Sequence, residues 1–225
     1  MLLATFPVGP LQANCYVLAK DRGTQCVIID PGMEAMGVLT SYITDHDLTP
    51  VAVLATHGHF DHIGNAQEVG DHWEIPVYIH PEDRHLLSTP EKGMGRDMAI
   101  WYAMAVPHGI TEPKRVESLT DGQTLTQASF DFHIDHAPGH SRGSVLITVR
   151  DEETSYCFCG DVVFAGSIGR TDLPGSQPDV MLTTLRDKVL AVSDDIQLHP
   201  GHGPTATMGE QRERNPYLQP RYLNH

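Results

Sequence analysis

The amino-acid sequence predicts an α/β fold, a four-layer αββα sandwich of helix, sheet, sheet and helix. Three observations lead there. Apolar or alternating runs of strand length recur along the 225 residues, segments with apolar side chains at helical spacing flank them, and a chain of this length can bury two sheets beneath covering helices. No low-complexity linker or short repeat interrupts residues 1–225, which are read as a single domain.

The elements follow in order. Cys26-Val27-Ile28-Ile29 is an apolar run that stops at Asp30-Pro31-Gly32, a turn signal. Residues 34–45 carry Ala35, Leu39 and Ile43 on one helical face. Val51–Ala55 reads as a buried strand, and Ile63–Val69, beyond the loop that follows it, can start a helix. Phe130, Phe132 and Ile134 alternate with Asp131, His133 and Asp135, the two-residue period of a half-buried strand. Tyr156–Cys159 and Ile196–Leu198 are two further strand-like runs. Residues 178–192 place Met181, Leu185, Val189 and Val192 at helical spacing; Ser176 with Asp179 makes a capping-box pattern, and a start at Pro178 is equally allowed.

One stretch breaks this regularity. Glu91 to Pro113 holds Met94, Met98, Trp101, Tyr102 and Met104 between Gly93-Gly95 and Pro107-Gly109, a helix-like apolar face between flexible points. It fits a lid over a site, a self-association surface or ordinary core packing. A lid predicts that Trp101→Ala raises KM more than it disturbs folding.

The strand-like runs share an ending. Val51–Ala55 leads into Thr56-His57-Gly58-His59-Phe60-Asp61-His62; His140 follows Pro138-Gly139, Asp161 follows Gly160, and His202 sits in Pro200-Gly201-His202-Gly203. A turn splays its side chains, so His57 and His59 can reach one ion while Asp61 and His62 reach a second. With fourteen histidines in the chain, a lone His-x-His would mean little, but the full His-x-His-x-Asp-His with three matching downstream ligands points to metal. Asp161 stands apart from ordinary solvated aspartates because apolar sequence frames it. His46, His72, His80, His85, His108, His133, His136, His199 and His225 are read as surface or hydrogen-bonded structural histidines.

Composition narrows the function. Fifteen basic against twenty-nine acidic residues provide no basic stripe for nucleic acid. Met1–Phe6 is too short and lacks the basic start of a signal peptide, and no apolar stretch approaches membrane-spanning length, so a cytoplasmic address is expected. Four cysteines make no disulfide framework. Cys157 and Cys159 point to one strand face and, with Cys15 and Cys26, are read as reduced core residues. The absence of cysteine from the ligand cluster argues against thiolate chemistry there.

With those residues in place, the chain resembles the hydrolases of the metallo-β-lactamase fold, and within them is similar to the glyoxalase II (hydroxyacylglutathione hydrolase) branch. The match runs through Asn14-Cys15-Tyr16, Ile29–Gly32, Thr56–His62, Ala137–Ser144, Gly160-Asp161, Gly169–Asp172, Pro200–Thr205 and Asn215–Leu218. The resemblance implies that His57, His59 and His140 bind one ion, that Asp61, His62 and His202 bind a second, and that Asp161 bridges them. It implies two divalent metal ions per chain, zinc foremost, with iron or manganese also suited to this nitrogen and oxygen set. Asp61 is expected to act as ligand and also as the catalytic group that orients the attacking hydroxide, two roles the sequence does not separate, and Asp30 resembles a residue that steadies a metal ligand, the ordinary alternative being a turn aspartate. Arg170 is expected either to face an anionic substrate or to be a surface arginine paired to Asp172 or Asp179.

The implied reaction is hydrolysis of an S-acylated small thiol such as S-lactoylglutathione, by hydroxide attack on the acyl carbon. The alternatives are a mononuclear iron persulfide dioxygenase, a hydrolase of another small ester, lactone or phosphoester, and a non-enzymatic metal-binding or flavoprotein-partner domain. The expected partner is a small-molecule thioester, with no nucleic acid and no membrane, the chain being a monomer or small homo-oligomer. Larger glyoxalase II enzymes grip glutathione through an additional helical C-terminal region; the chain stops at His225, so most of that region is expected to be missing.

Overall fold

In β2 (Ala13–Ala19) every residue is buried, because this strand has a core on each face. Tyr16 and Leu18 point into one apolar cluster, while Cys15, Val17 and Ala19 point into another. The two-residue period of a strand makes that division. β3 (Gln25–Ile29) and β4 (Thr49–Leu54) divide in the same way, with Ile29 and Leu54 on one face and Ile28 and Val53 on the other.

The computed structural model describes residues 1–106, 108–150 and 155–223. Pro107 and His225, invoked above as part of a flexible point and as a surface histidine, lie outside the described residues. β1 (Leu2–Val8), β2, β3, β4, β5 (Val77–Ile79) and β6 (Val116–Ser118) lie side by side in one six-stranded sheet. β1, β2 and β3 are antiparallel neighbours, whereas β3 to β6 run parallel. A second six-stranded sheet is ordered β14-β13-β10-β9-β8-β7. Its strands are β7 (Thr124–Gln127), β8 (Phe130–His136), β9 (Val145–Arg150), β10 (Ser155–Gly160), β13 (Gln197–Pro200) and β14 (Ala206–Thr207). Between β10 and β13 a hairpin, β11 (Val163–Phe164) with β12 (Ser167–Ile168), stands apart.

The inner faces meet through Tyr16, Leu18, Ile29 and Leu54 against Phe132, Ile134, Ile147 and Phe158. Leu39 and Ile43 of α1 (Ala35–Asp45) and Val69 of α3 (Ala66–His72) cover the outer face of the first sheet. Met181 and Leu185 of α5 (Pro178–Asp187) and Met208 of α6 (Met208–Arg214) cover the second, where they bury Cys157 and Cys159. The helix, sheet, sheet, helix order is as predicted, and α1 buries the three residues expected of it. All four cysteines are free thiols in the core.

Three local expectations are corrected. The helix after the His-rich turn begins at Phe60, inside the motif, as α2 (Phe60–Ile63). The predicted 178–192 helix is α5 followed by a short 3-10 turn, Val189–Ala191. Its N-cap is Gln177, with no side-chain cap and Pro178 in the first turn; the Ser176 hydroxyl instead donates to the His140 carbonyl at 2.6 Å. The Met-rich stretch contains α4 (Arg96–Ala105), of which only Tyr102 is buried; Met94 and Tyr102 pack with Phe60 in a small core cluster, while Met98, Trp101 and Met104 are exposed. No helix among the described residues is long and apolar enough to cross a membrane.

Candidate metal centre

Parallel neighbours bring their C-terminal ends to the same edge of a sheet, and this edge is where the predicted ligands lie. Asp30 follows β3, His57 to His62 follow β4, His140 follows β8, Asp161 follows β10 and His202 follows β13. His57 and His62 are fully buried and His59 and His140 nearly so, whereas Asp61, Asp161 and His202 open onto a cavity of about 1010 Å³ that His59 and His140 also line.

Two of the three close groups of donor atoms are the predicted ones, and the third joins Asp30 to His57 and His62. His57, His59 and His140 each offer a ring nitrogen within 4.8 Å of the others, and Asp61, His62 and His202 do likewise. In the second group His202 Nε2 lies 3.1 Å from Asp61 Oδ2 and 3.3 Å from His62 Nε2. Two donors about 2.1 Å from a shared ion lie roughly 3.4 Å apart at the tetrahedral angle. Asp161 reaches both groups: Oδ1 is 3.4 Å from His62 Nε2, and Oδ2 is 3.5 Å from His140 Nε2 and 3.7 Å from His202 Nε2.

Two further features fit a bound cation. His57 Nε2 and Asp161 Oδ1 are buried with no hydrogen-bond partner, an expensive condition for a structural residue and the ordinary one for a metal ligand. The other ring nitrogen is engaged in three cases. His57 Nδ1 lies 3.1 Å from Thr56 Oγ1, His62 Nδ1 is 3.1 Å from Asp30 Oδ2, and His140 Nδ1 donates to the Arg170 carbonyl at 2.8 Å. Such contacts select the tautomer that turns a lone pair toward the cluster.

The electrostatics differ between the groups. Burial, then the neighbouring imidazoles, pushes the His57 pKa well down; burial and His140 lower His59 to about 4, and burial lowers His140 to about 4. These rings are neutral ligands at pH 7. Burial opposes charge on His62 too, but Asp61, Asp161 and Asp30 outweigh it and raise the ring to about 10. His62 must therefore give up a proton for a metal to bind it. Burial raises the Asp161 carboxyl against the pull of His62 and His202. Burial also opposes ionisation of Asp61, yet His62 and His202 hold its carboxyl well below the usual range.

Asp30 and Asp83 hold the ligand loops. Asp30 sits at φ 50, left-handed for a non-glycine residue. Its carboxylate accepts from Thr56 N at 2.7 Å and Thr56 Oγ1 at 2.6 Å besides facing His62. It is both the turn aspartate and the support for a ligand. Asp83 is 1% exposed and had no place in the sequence reading. Its carboxylate accepts from Gly58 N at 2.8 Å, Ser141 Oγ at 2.6 Å and Gly143 N at 2.8 Å. It thereby ties the loop of His57 and His59 to the loop of His140. A Cβ on Gly143 would lie 2.6 Å from Asp83 Cγ, so the clamp needs glycine there. Gly201 is needed for close approach too: a Cβ would strike Asp161 Oδ1 and His62.

On this edge Arg170 takes the pairing to Asp172 that the sequence also allows, and the expectation for His199 changes. Arg170 lines the large cavity, but its guanidinium makes a bidentate pair with Asp172 at 2.6 and 2.8 Å and is 62% exposed. Its carbonyl, rather than its charge, touches the ligand set. His199 is not a surface or hydrogen-bonded histidine: it is buried among Tyr16, Tyr156 and Phe158 with neither ring nitrogen bonded to the protein.

The chain matches the family model described as the metallo-beta-lactamase superfamily over residues 8–202, a span that holds every predicted ligand. The hydroxyacylglutathione hydrolase GloC of Haemophilus influenzae is 32% identical over 220 residues, covering 97% of this chain and 98% of its own. The crystal structure of BLEG-1 B3 metallo-beta-lactamase superposes with a TM-score of 0.81 at 36% identity, covering 97% of this chain and 100% of that one. The structure of TTHA1623 in a di-iron-bound form gives a TM-score of 0.76 at 34% identity, again covering 97% and 100%.

Proposed function

This chain belongs to the metallo-β-lactamase superfamily, a superfamily of metallo-hydrolases, and on that premise we propose that it hydrolyses the thioester of an S-acylated small thiol, with two metal ions per chain. His57, His59 and His140 would hold one ion, Asp61, His62 and His202 would hold the other, and the Asp161 carboxylate is within reach of both sets. The observation that carries this reading is the reach of the Asp161 carboxylate into both donor groups on the floor of one cavity. The name of GloC supports the thioester bond as target, and the di-iron form of TTHA1623 is consistent with iron as well as zinc.

When bound, the ions supply a hydroxide near neutral pH and polarise the acyl carbonyl. The rest is done by the chain. Asp61, ionised at neutral pH and opening onto the cavity, accepts a hydrogen bond from the attacking water and orients it. Thr56, Asp30 and Asp83 keep the ligand rings in place by way of fixed hydrogen bonds. A thiolate departs without a dedicated general acid, since thiols ionise near pH 8.5.

The test is a side-by-side assay of the metal-loaded protein on S-lactoylglutathione, glutathione persulfide and a β-lactam, the last because of the likeness to BLEG-1. Thiol release from the thioester without oxygen uptake is expected. Oxygen uptake on the persulfide, or β-lactam opening with no thiol release, would replace this reading.

A further inference from the structure

We propose that the acyl group taken by this site is large and apolar, a medium-chain or aryl acyl group rather than a short hydroxyacyl, and that the thiol carrying it is polar. This inference rests on the thioester-hydrolase reading and concerns the same site. It starts from two cavities that meet at His59. The larger, about 1010 Å³, is walled by apolar side chains from separate elements: Leu11 of the β1–β2 turn, Met33 before α1, Met98 and Trp101 of α4, and Phe164 and Ile168 of the β11–β12 hairpin. The smaller, about 310 Å³, is lined by Glu82, His85, Lys92 and Arg142.

Leu11, Met98 and Trp101 are 48%, 37% and 39% exposed, respectively. Large apolar side chains held in water cost free energy that a bound apolar group recovers. They cluster where the metal ligands open to solvent, which singles them out from apolar residues scattered over a surface. Methionines adapt their shape to a flexible chain at little cost. Two arginines also line this cavity, Arg96 and Arg170, and the second makes a bidentate pair with Asp172. A lactoyl group offers one methyl and one hydroxyl and would leave most of 1010 Å³ to water.

The two cavities also fix the direction of the substrate. With the scissile carbonyl over the ligand rings, the acyl chain runs along Met98 and Trp101, and the polar arm of the thiol passes His59 toward Lys92 and Arg142. In hydrolysis water adds its oxygen to the acyl carbon, the C–S bond breaks, and the thiolate takes a proton, giving a free carboxylic acid and a thiol.

The test uses the metal-loaded protein and a series of glutathione thioesters, S-acetyl, S-lactoyl, S-hexanoyl and S-octanoyl. Burying a methylene is worth about three- to fourfold, so kcat/KM is expected to rise at least tenfold from S-lactoyl to S-octanoyl. Trp101→Ala and Met98→Ala, both on the open face of α4, are expected to keep the wild-type melting temperature. Each should shrink the octanoyl-to-acetyl ratio of kcat/KM at least fivefold, chiefly through KM. Equal or better turnover of S-lactoylglutathione would overturn the apolar-acyl assignment while leaving the thioester reading intact. A series in which no member releases thiol would overturn both.

Discussion

A buried carboxylate that accepts hydrogen bonds from two different ligand loops is worth more to the site than its distance from any metal donor suggests. Asp83 is such a residue, joined to Gly58, Ser141 and Gly143. In Asp83→Asn one oxygen becomes an NH2 group facing donors, so at least one of these bonds is lost. The expected result is a ten- to hundredfold loss of metal affinity at His57, His59 and His140, with the far-ultraviolet spectrum unchanged. Chelator competition measures it; unchanged affinity would show the clamp to be incidental. In the sequence, Pro81-Glu82-Asp83 looks like a solvated acidic turn, and nothing in its spacing marks one carboxylate for burial. The ligands themselves were legible because metal chemistry restricts residue type and spacing together. Asp30 was legible as a turn residue and as a support, and it serves as both. His199 was misjudged because its surroundings, Tyr16 from one sheet and Phe158 from the other, are assembled only by the fold.

At the scale of elements, local patterns predicted α1 and the five strands that lead into the site, β3, β4, β8, β10 and β13, since period or apolar run and burial coincide there. They did less well where a side chain had a tertiary partner. Ser176 has the right neighbour for a capping box, yet its hydroxyl serves the His140 carbonyl and α5 starts at Pro178 without it. Ser176→Ala should therefore leave α5 formed and cost about 1 kcal/mol, the net worth of one hydrogen bond. The same change should weaken metal retention at the His140 loop. A melting curve and a chelator titration on one sample separate the two effects; helix loss by circular dichroism would mean that Ser176 does cap. The Met-rich stretch shows the same limit. Its helical spacing was readable, but whether Trp101 faced core or cavity was decided by the α4 contact between Tyr102 and Phe60, which turns the other face outward.

For the whole molecule, the layer order was legible from strand and helix alternation, but the pairing of strands was not. β11, β12 and β14 are two residues long, and parallel pairs such as β10 with β13 join segments far apart in the chain. The assembled edge gives the metal-free protein an unusual pH response. Burial disfavours charge on His57, His59 and His140, the latter two falling to about 4 from an ordinary 6.5. The unfolded chain binds those protons first, so stability falls as pH drops from about 6.5 toward 4. His62 acts oppositely: raised to about 10, it contributes stability that is complete below its unfolded value near 6.5 and is lost as pH rises. Calorimetry of the chelated protein should find its highest melting temperature near pH 6.5, and a melting temperature still climbing at pH 9 would contradict that assignment. Adding metal should raise the melting temperature and flatten the alkaline limb, since His62 then binds as a neutral ligand. The decisive quantity is the number of ions per chain, measured by elemental analysis of the wild type and of His202→Ala purified in parallel. Two ions are expected in the wild type and about one in the variant, with thioester hydrolysis reduced at least a hundredfold. One ion in a fully active wild type, or hydrolysis that survives the loss of His202, would contradict a two-metal centre.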